Sequence, residues 1–315
     1  MNNVQYLIIS TTIDYSTDLI CYGLEKENCQ YLRINRDRFS SYLIEYDLEN
    51  DALVISIEDN KYKISQDLKS VYFRAPVFLR TIKNYTVEEQ LYRSQWSAFI
   101  RNLIILDNAK WINHPVNTYR AENKLYQLKL AKQVGLYVPE TYVGNSIPKN
   151  LCEEKEYIIK SLDTALFYDK GQEMFTYTTM VKGRELLSSE IQYAPIIIQE
   201  CLDNKLDIRV TVVDNEIFPV SITAEGKEIR GDWRKMDKLK LKYTPITLPY
   251  NVKCNIIRLM NDLGLTFGGV DLIFANNKYY FIEVNPTGEW GWLKSVAKLP
   301  IDKAIVKSMI GEISE

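Results

Sequence analysis

Apolar residues recur along this chain in two rhythms. Within residues 1–115, short runs rich in β-branched and aromatic residues at 6–9, 31–34, 53–57 and 71–73 predict strands, separated by helical stretches. The clearest helix is predicted over 88–106, where apolar residues return every three or four positions. It ends toward Asp107-Asn108, and the segment WINHP predicts a strand that stops at Pro115. A second helix is predicted over 118–134, closed by Gly135, and VPET begins the next strand. Strands are then predicted at 157–160, 174–181, 195–200, 208–213 and 217–223. A helix at 252–263 precedes two β-rich runs, 268–274 and 278–284, joined by Asn276-Asn277, which reads as a hairpin. A last helix is predicted over 293–310. No internal repeat, low-complexity tract or Pro/Gly/Ser linker breaks this order, which fits one multi-lobed α/β protein.

The hairpin carries the densest chemistry. Asp271 lies on its first strand, and Glu283 and Asn285, two residues apart and so on one face, end its second. Two carboxylates and an amide oxygen at neighbouring points of a sheet are hard ligands that suit Mg²⁺, which takes its remaining ligands from water and phosphates. By itself an Asp followed by Glu-x-Asn is equally what an ordinary hairpin with edge carboxylates shows. Lys160 ends the buried-looking strand EYIIK, where an unpaired ammonium is costly unless it faces a cleft. Lys124 stands early on the second helix, whereas Lys129 and Lys132 read as solvated. The run IIIQECL (196–202) is a buried strand entering a polar break, an edge that can offer backbone groups to an adenine. In DIRVTVV, Asp207 and Arg209 share one strand face.

Composition narrows the classes. Charge is nearly balanced, with 39 basic and 41 acidic residues, so no general affinity for nucleic acid or membranes is expected. There is no signal-peptide pattern and no apolar run of membrane-spanning length. Five scattered cysteines and a single histidine, His114, argue against a zinc site and for reduced thiols in a cytoplasmic protein. His114, before Pro115, reads as structural, and Trp290 and Trp292 as packing residues.

Taken in order, these segments resemble the ATP-grasp superfamily of carboxylate ligases over about residues 110–292. The nearest likeness is to the microviridin-type graspetide synthetases, which close rings in ribosomal peptides. The resemblance is carried by NHPVNTYRAENKLYQLKLAKQVGLYVPET, IIKS, IIIQECLDNKLDIRV, GDWR and FGGVDLIF…FIEVNPTGEWGWL. VYFRAP is similar to an N-terminal aromatic-Arg-Arg-Pro signature of that family, with Ala75 in place of the second Arg. The implied fold is α/β, an ATP-grasp fold with a pre-ATP-grasp α/β domain at 1–115, a central lobe at 116–190 and a C-terminal lobe at 191–315 that bears the metal site.

The resemblance implies roles for single residues. Lys124 and Lys160 would hold phosphates of ATP, Gln199, Glu200 and Leu202 would frame the adenine, and Asp207 would bind ribose. Asp271, Glu283 and Asn285 would ligate Mg²⁺. Many superfamily members carry an Arg two residues before the metal Asp, where this chain has Gly269, so Arg209 and Arg234 become the candidates for that catalytic charge. No glycine-rich loop follows Lys160, and a flap is expected over 161–170. The implied activity is ATP-dependent linkage of Asp or Glu carboxyls of a precursor peptide, made of leader and core, to Ser/Thr hydroxyls or Lys amines. A homodimer is implied by the resemblance alone. Two other readings stay open: a ligase that adds a free amino acid such as glutamate, and an inactive ATP-grasp fold that binds peptide.

Overall fold

A computed structural model of the chain describes residues 1–74, 85–162 and 178–311, with the backbone of two further strands, Leu166–Asp169 and Gln172–Phe175. Near the N-terminus four parallel strands stand in the order Tyr31–Asn35, Tyr6–Ser10, Ser70–Phe73, Lys110–Ile112. All five residues of Tyr6–Ser10 are buried, as they must be in a parallel strand covered on both faces. Side chains alternate between those faces. Leu7 and Ile9 join Ile100 and Leu103 of the 87–105 helical segment, with Leu53, Ile55 and Ile64 from an antiparallel sheet of Tyr42–Asp47, Ala52–Ile57 and Asn60–Ile64. Tyr6 and Ile8 turn the other way, onto Ile20 and Leu24 of the helix Tyr15–Lys26.

The second face is also where the chain returns. Trp290, Leu293, Ile301 and Ile305 pack in the same cluster as Tyr6 and Ile8. The last three lie in two helices, Gly291–Ala297, which Trp290 caps, and Ile301–Ile310, where a single one was predicted. Lys298 adopts a left-handed φ of 56° and Pro300 precedes the second helix, so the backbone turns between them. The helix predicted over 118–134 is likewise two, Pro115–Glu122 and Lys124–Gln133. Asn123 leaves helical geometry, and its side chain accepts a hydrogen bond from the Tyr126 N–H. A capping Asn can therefore start a new helix inside a periodic run.

The middle of the chain forms an antiparallel sheet in the order Thr179–Lys182, Glu156–Lys160, Ile196–Glu200, Thr141–Gly144. The strand predicted over 174–181 is split, its first part belonging to Gln172–Phe175, which pairs with Leu166–Asp169. Of the flap expected over 161–170, residues 163–165 and 170 lie outside the described residues. Ala75 of the N-terminal signature does as well.

The last sheet has five antiparallel strands: Leu241–Pro245, Glu216–Ala224, Leu206–Val213, Phe267–Ala275 and Lys278–Asn285. The amphipathic helix Tyr250–Leu263 buries Val252, Ile256, Leu259 and Met260 against Ile208, Val210, Val270 and Phe281. The hairpin forms as predicted, with Asn276 and Asn277 at φ 50° and 57°, the left-handed pair that a tight hairpin turn requires. Leu241–Pro245 begins at the end of the charged run 225–242. It is an edge strand with alternate residues exposed, and lysines suit such an edge.

Candidate active site

Pairing in the five-stranded sheet aligns the charged side chains. Arg209 lies opposite Asp271, Asp271 opposite Glu283, and Gly269 opposite Asn285. A bulge follows directly: Leu272 pairs with Phe281, which leaves Ile282 as the extra residue beside Glu283. Bulges re-aim neighbouring side chains, and they are frequent beside active sites. Arg209 Nη1 donates to Asp271 Oδ1 at 2.9 Å. Arg234 Nη2 donates to the other oxygen of Asp271 and, at 3.0 Å, to Glu283 Oε1. Burial opposes ionisation of Asp271, but the two guanidinium groups outweigh it and hold its carboxyl below the usual range. Arg234 gains in return: despite burial, Asp271, Glu283 and Asp232 hold its pKa above the ordinary arginine value. Arg209 is itself buried, and its Nε has no hydrogen-bond partner among the described residues.

The glycine at 269 has a clear physical reason. A Cβ there would stand 2.0 Å from Arg209 Nη2, and one at Gly288 2.4 Å from the same atom. The Arg209 guanidinium therefore occupies the space over the strand where a side chain at 269 would go. The donor set beside it, two carboxylates and the half-buried amide of Asn285, suits a hard divalent cation. Both carboxylates accept from arginine.

Between the central and last sheets runs a cavity of about 530 Å³. Lys160, Gln199, Glu200, Leu202, Asp207, Arg234, Asp271 and Glu283 all line it. Lys160 Nζ donates to Gln199 Oε1 at 3.0 Å, and Gln199 Nε2 donates to Thr141 Oγ1 at 2.9 Å. Burial lowers the Lys160 pKa, although Glu283 acts to raise it; an anion in the cavity would relieve that cost. Lys124 does not line the cavity. Its Nζ donates to the Ser161 carbonyl at 3.0 Å, one residue past Lys160, and its charge bears on Lys160. Asp207 is raised to about 6, chiefly by burial, against the pull of its ion-pair partner Lys205. Arg209 and Asn285 stand behind the wall rather than on it.

Several supporting residues escape a reading by residue type. Asp232, inside GDWR, caps its own turn and faces Arg234 at 3.5 Å. Gln127 brackets Val284 between the two hairpin ligand positions: its Oε1 accepts from the Val284 N–H at 2.9 Å and its Nε2 donates to the Val284 carbonyl at 2.8 Å. Asn113 Nδ2 donates to the carbonyls of Phe267 and Pro286, each at 2.8 Å, and its Oδ1 accepts from the Phe267 N–H. The open end of the hairpin, opposite its turn, is thus pinned by the amides of Asn113 and Gln127. Their only sequence signal is a polar residue among apolar neighbours. His114 caps the helix Pro115–Glu122, accepting from Val116 N–H, and Trp290 is fully buried, donating to Tyr72 Oη.

Residues 121–309 match the RimK-like ATP-grasp domain family. The chain belongs to that family. The fold of this ATP-grasp protein is shared with the macrocyclase MdnC of Microcystis aeruginosa MRC, solved with the precursor peptide MdnA (TM-score 0.82, 24% identity, 97% of this chain and 99% of that one). It is shared too with a RiPP-associated ATP-grasp ligase of Chryseobacterium gregarium, solved with ADP, a leader and a core peptide (TM-score 0.85, 23% identity, 100% and 98%). By sequence the protein is 24% identical over 237 residues to the tetrahydromethanopterin:alpha-L-glutamate ligase of Methanocaldococcus jannaschii, covering 68% of this chain and 76% of that one. No helix among the described residues is long and apolar enough to cross a membrane.

Proposed function

We propose that the protein is an ATP-dependent peptide ligase that joins Asp or Glu side chains of a ribosomal precursor peptide to Ser/Thr hydroxyls or Lys amines. The observation that carries this reading is the row Arg209–Asp271–Glu283, closed by Arg234, at the end of a cavity whose other wall holds Lys160. A carboxylate is a poor electrophile because its leaving group would be oxide. Transfer of the γ-phosphoryl group of ATP to one carboxylate oxygen gives an acyl phosphate and ADP. Attack by a hydroxyl or amine then expels phosphate, so each bond formed removes one water from the peptide. The protein's part in such chemistry is alignment and positive charge.

In this reading Gln199, Glu200 and Leu202 frame the adenine and Asp207 meets the ribose. Lys160 faces the phosphates, and Lys124, bonded to the Ser161 carbonyl beside it, adds positive charge next to them. Asp271, Glu283 and Asn285 would hold Mg²⁺, which when bound neutralises phosphate charge. Arg234, which lines the cavity, meets the substrate carboxylate through its forked donors, and Arg209 holds Asp271 in place. The likeness of fold extends across the whole chain to a macrocyclase and a RiPP-associated ligase, each solved with peptide, which supports a peptide substrate over a free amino acid. The partial match to a glutamate ligase keeps the second reading testable. A homodimer belongs to the proposal, and light scattering that gives a monomer mass removes that part.

Mass spectrometry of a co-expressed precursor peptide is the direct test. Losses of 18 Da per linkage, absent in Glu283→Gln and Asp271→Asn, are expected, with both variants folded and unable to release ADP. Peptide that gains the mass of glutamate instead favours the amino-acid ligase. Normal ADP release by the variants would remove the metal assignment.

A further inference from the structure

A second cavity, of about 650 Å³, opens where the N-terminal parallel sheet meets the last helices. Asp14, Arg36 and Arg74 line it from the carboxyl ends of the parallel strands, and Glu289, Trp292 and Val296 from the C-terminal side. Arg74 forms its floor and is fully engaged. It donates to the carbonyls of Thr287 and Gly288 at 2.8 and 3.1 Å, to Glu289 at 2.8 Å and to Asp14 at 3.4 Å. One guanidinium is thus shared by two carboxylates, Asp14 and Glu289, so every nitrogen of the Arg74 fork is engaged and Arg36 is the cation that a ligand can reach.

Arg36 is different. It follows the strand end Asn35, is half-buried, and makes no hydrogen bond or ion pair among the described residues. Its neighbour Asp37 is turned to Thr12, accepting from the Thr12 N–H at 3.1 Å and from its hydroxyl. Burial lowers the Arg36 pKa, Asp37 acts to raise it, and the charge of Arg93 lowers it further. A guanidinium partly removed from water without a partner is costly, and a carboxylate is the group that fits its planar fork. Around it, Ile13, Tyr15 and Val296 line the cavity yet stay 91%, 53% and 52% exposed, an apolar rim of the kind a bound chain covers.

The position is equally telling. Gly288, whose carbonyl Arg74 holds, touches Arg209 on its other side. One loop, Pro286 to Gly288, thus separates this cavity from the row that contains Asp271. We infer that it is a second carboxylate subsite, holding through Arg36 an acidic side chain of the peptide near the one being activated, while the rim packs on apolar parts of that peptide. This rests on the peptide-ligase reading. A peptide held at two carboxylates is fixed in register, so the subsite would select which acid enters the reacting position.

The test titrates ADP–Mg²⁺-loaded protein calorimetrically with a blocked twelve-residue peptide of alternating Thr and Glu, and with its Thr/Gln counterpart. Wild-type protein should prefer the Glu peptide. Arg36→Ala should lose about tenfold in affinity for it, the scale of one charge-assisted contact, with unchanged ADP affinity, and Arg36→Lys should recover part. Arg38→Ala, the same charge change at an exposed site two residues on, should bind as wild type. Equal affinity in Arg36→Ala and wild type overturns the subsite and leaves the ligase reading standing. Equal losses in the Arg36 and Arg38 variants also overturn it, since diffuse charge would then explain the preference. Wild-type protein that binds ADP but neither peptide overturns the subsite together with the peptide reading.

Discussion

Arg234 bonds to Asp271 and Glu283 and faces Asp232 at 3.5 Å, so it occupies the charge position that a divalent cation would take. Asp271 has neither oxygen free, because Arg209 holds the other. A divalent cation would compete with Arg234 for the oxygens of Asp271 and Glu283, and a guanidinium displaced by it would be free for a substrate carboxylate. Removing one cation from beside a carboxylate strengthens its hold on another by roughly tenfold. In nucleotide-free protein, Arg234→Ala should therefore bind Mn²⁺ roughly tenfold more tightly by electron paramagnetic resonance, while losing ring formation. Weaker Mn²⁺ binding in the variant would show that Arg234 supports the site instead of competing for it.

Among the elements, the Phe267–Ala275 strand shows why a motif alone misleads. The residue two before Asp271 is glycine, which in isolation suggests a missing charge. Arg209 on the adjacent strand fills that space, packed against Gly269 and Gly288. Gly269→Ala should force Arg209 out and cost about 1–3 kcal/mol, the usual penalty for overpacking. Urea unfolding would measure that loss, and ADP release should fall with it. A variant as stable and as active as wild type would mean that Arg209 can move freely. The hairpin around this strand was legible because Asn276-Asn277 and the alternating β-rich runs carry local turn and strand chemistry. The breaks at Asn123 and Lys298 were not, since capping and left-handed turns interrupt runs that keep helical periodicity.

Across the whole molecule, Arg74 ties the N-terminal sheet to the loop that follows the hairpin. Burial disfavours its charge, yet Tyr72, Asp14 and Glu289 hold its pKa up. Asp14 is held low in turn: burial pushes it up, but Arg74 and the hydrogen bonds from Ser10 and Thr17 outweigh that. A carboxyl depressed in the fold contributes stability above its unfolded pKa and loses it as pH falls through the folded value. Arg74→Ala should cost about 3–5 kcal/mol at neutral pH, as the removal of one partner of a buried pair does, and much less near pH 3. Melting curves at the two pH values check this, and a loss equal at both would assign the effect to packing alone.

Local patterns in the sequence indicated most of the strands, the hairpin and the Tyr250–Leu263 helix, because periodicity and turn residues are written in neighbouring positions. They also pointed to Lys160, Asp207, Arg209, Arg234, Asp271 and Glu283, which the fold brings to one cavity and the row behind it. Only the tertiary structure decided which charges meet. The register across three strands sets Arg209 and Glu283 on either side of Asp271, and the sheet's bulge aims Glu283. Packing of the last two helices against Tyr6 and Ile8 brings Arg74 to Glu289, 215 residues away in the chain. Such pairings follow from long-range packing, on which residue spacing along the chain carries no information.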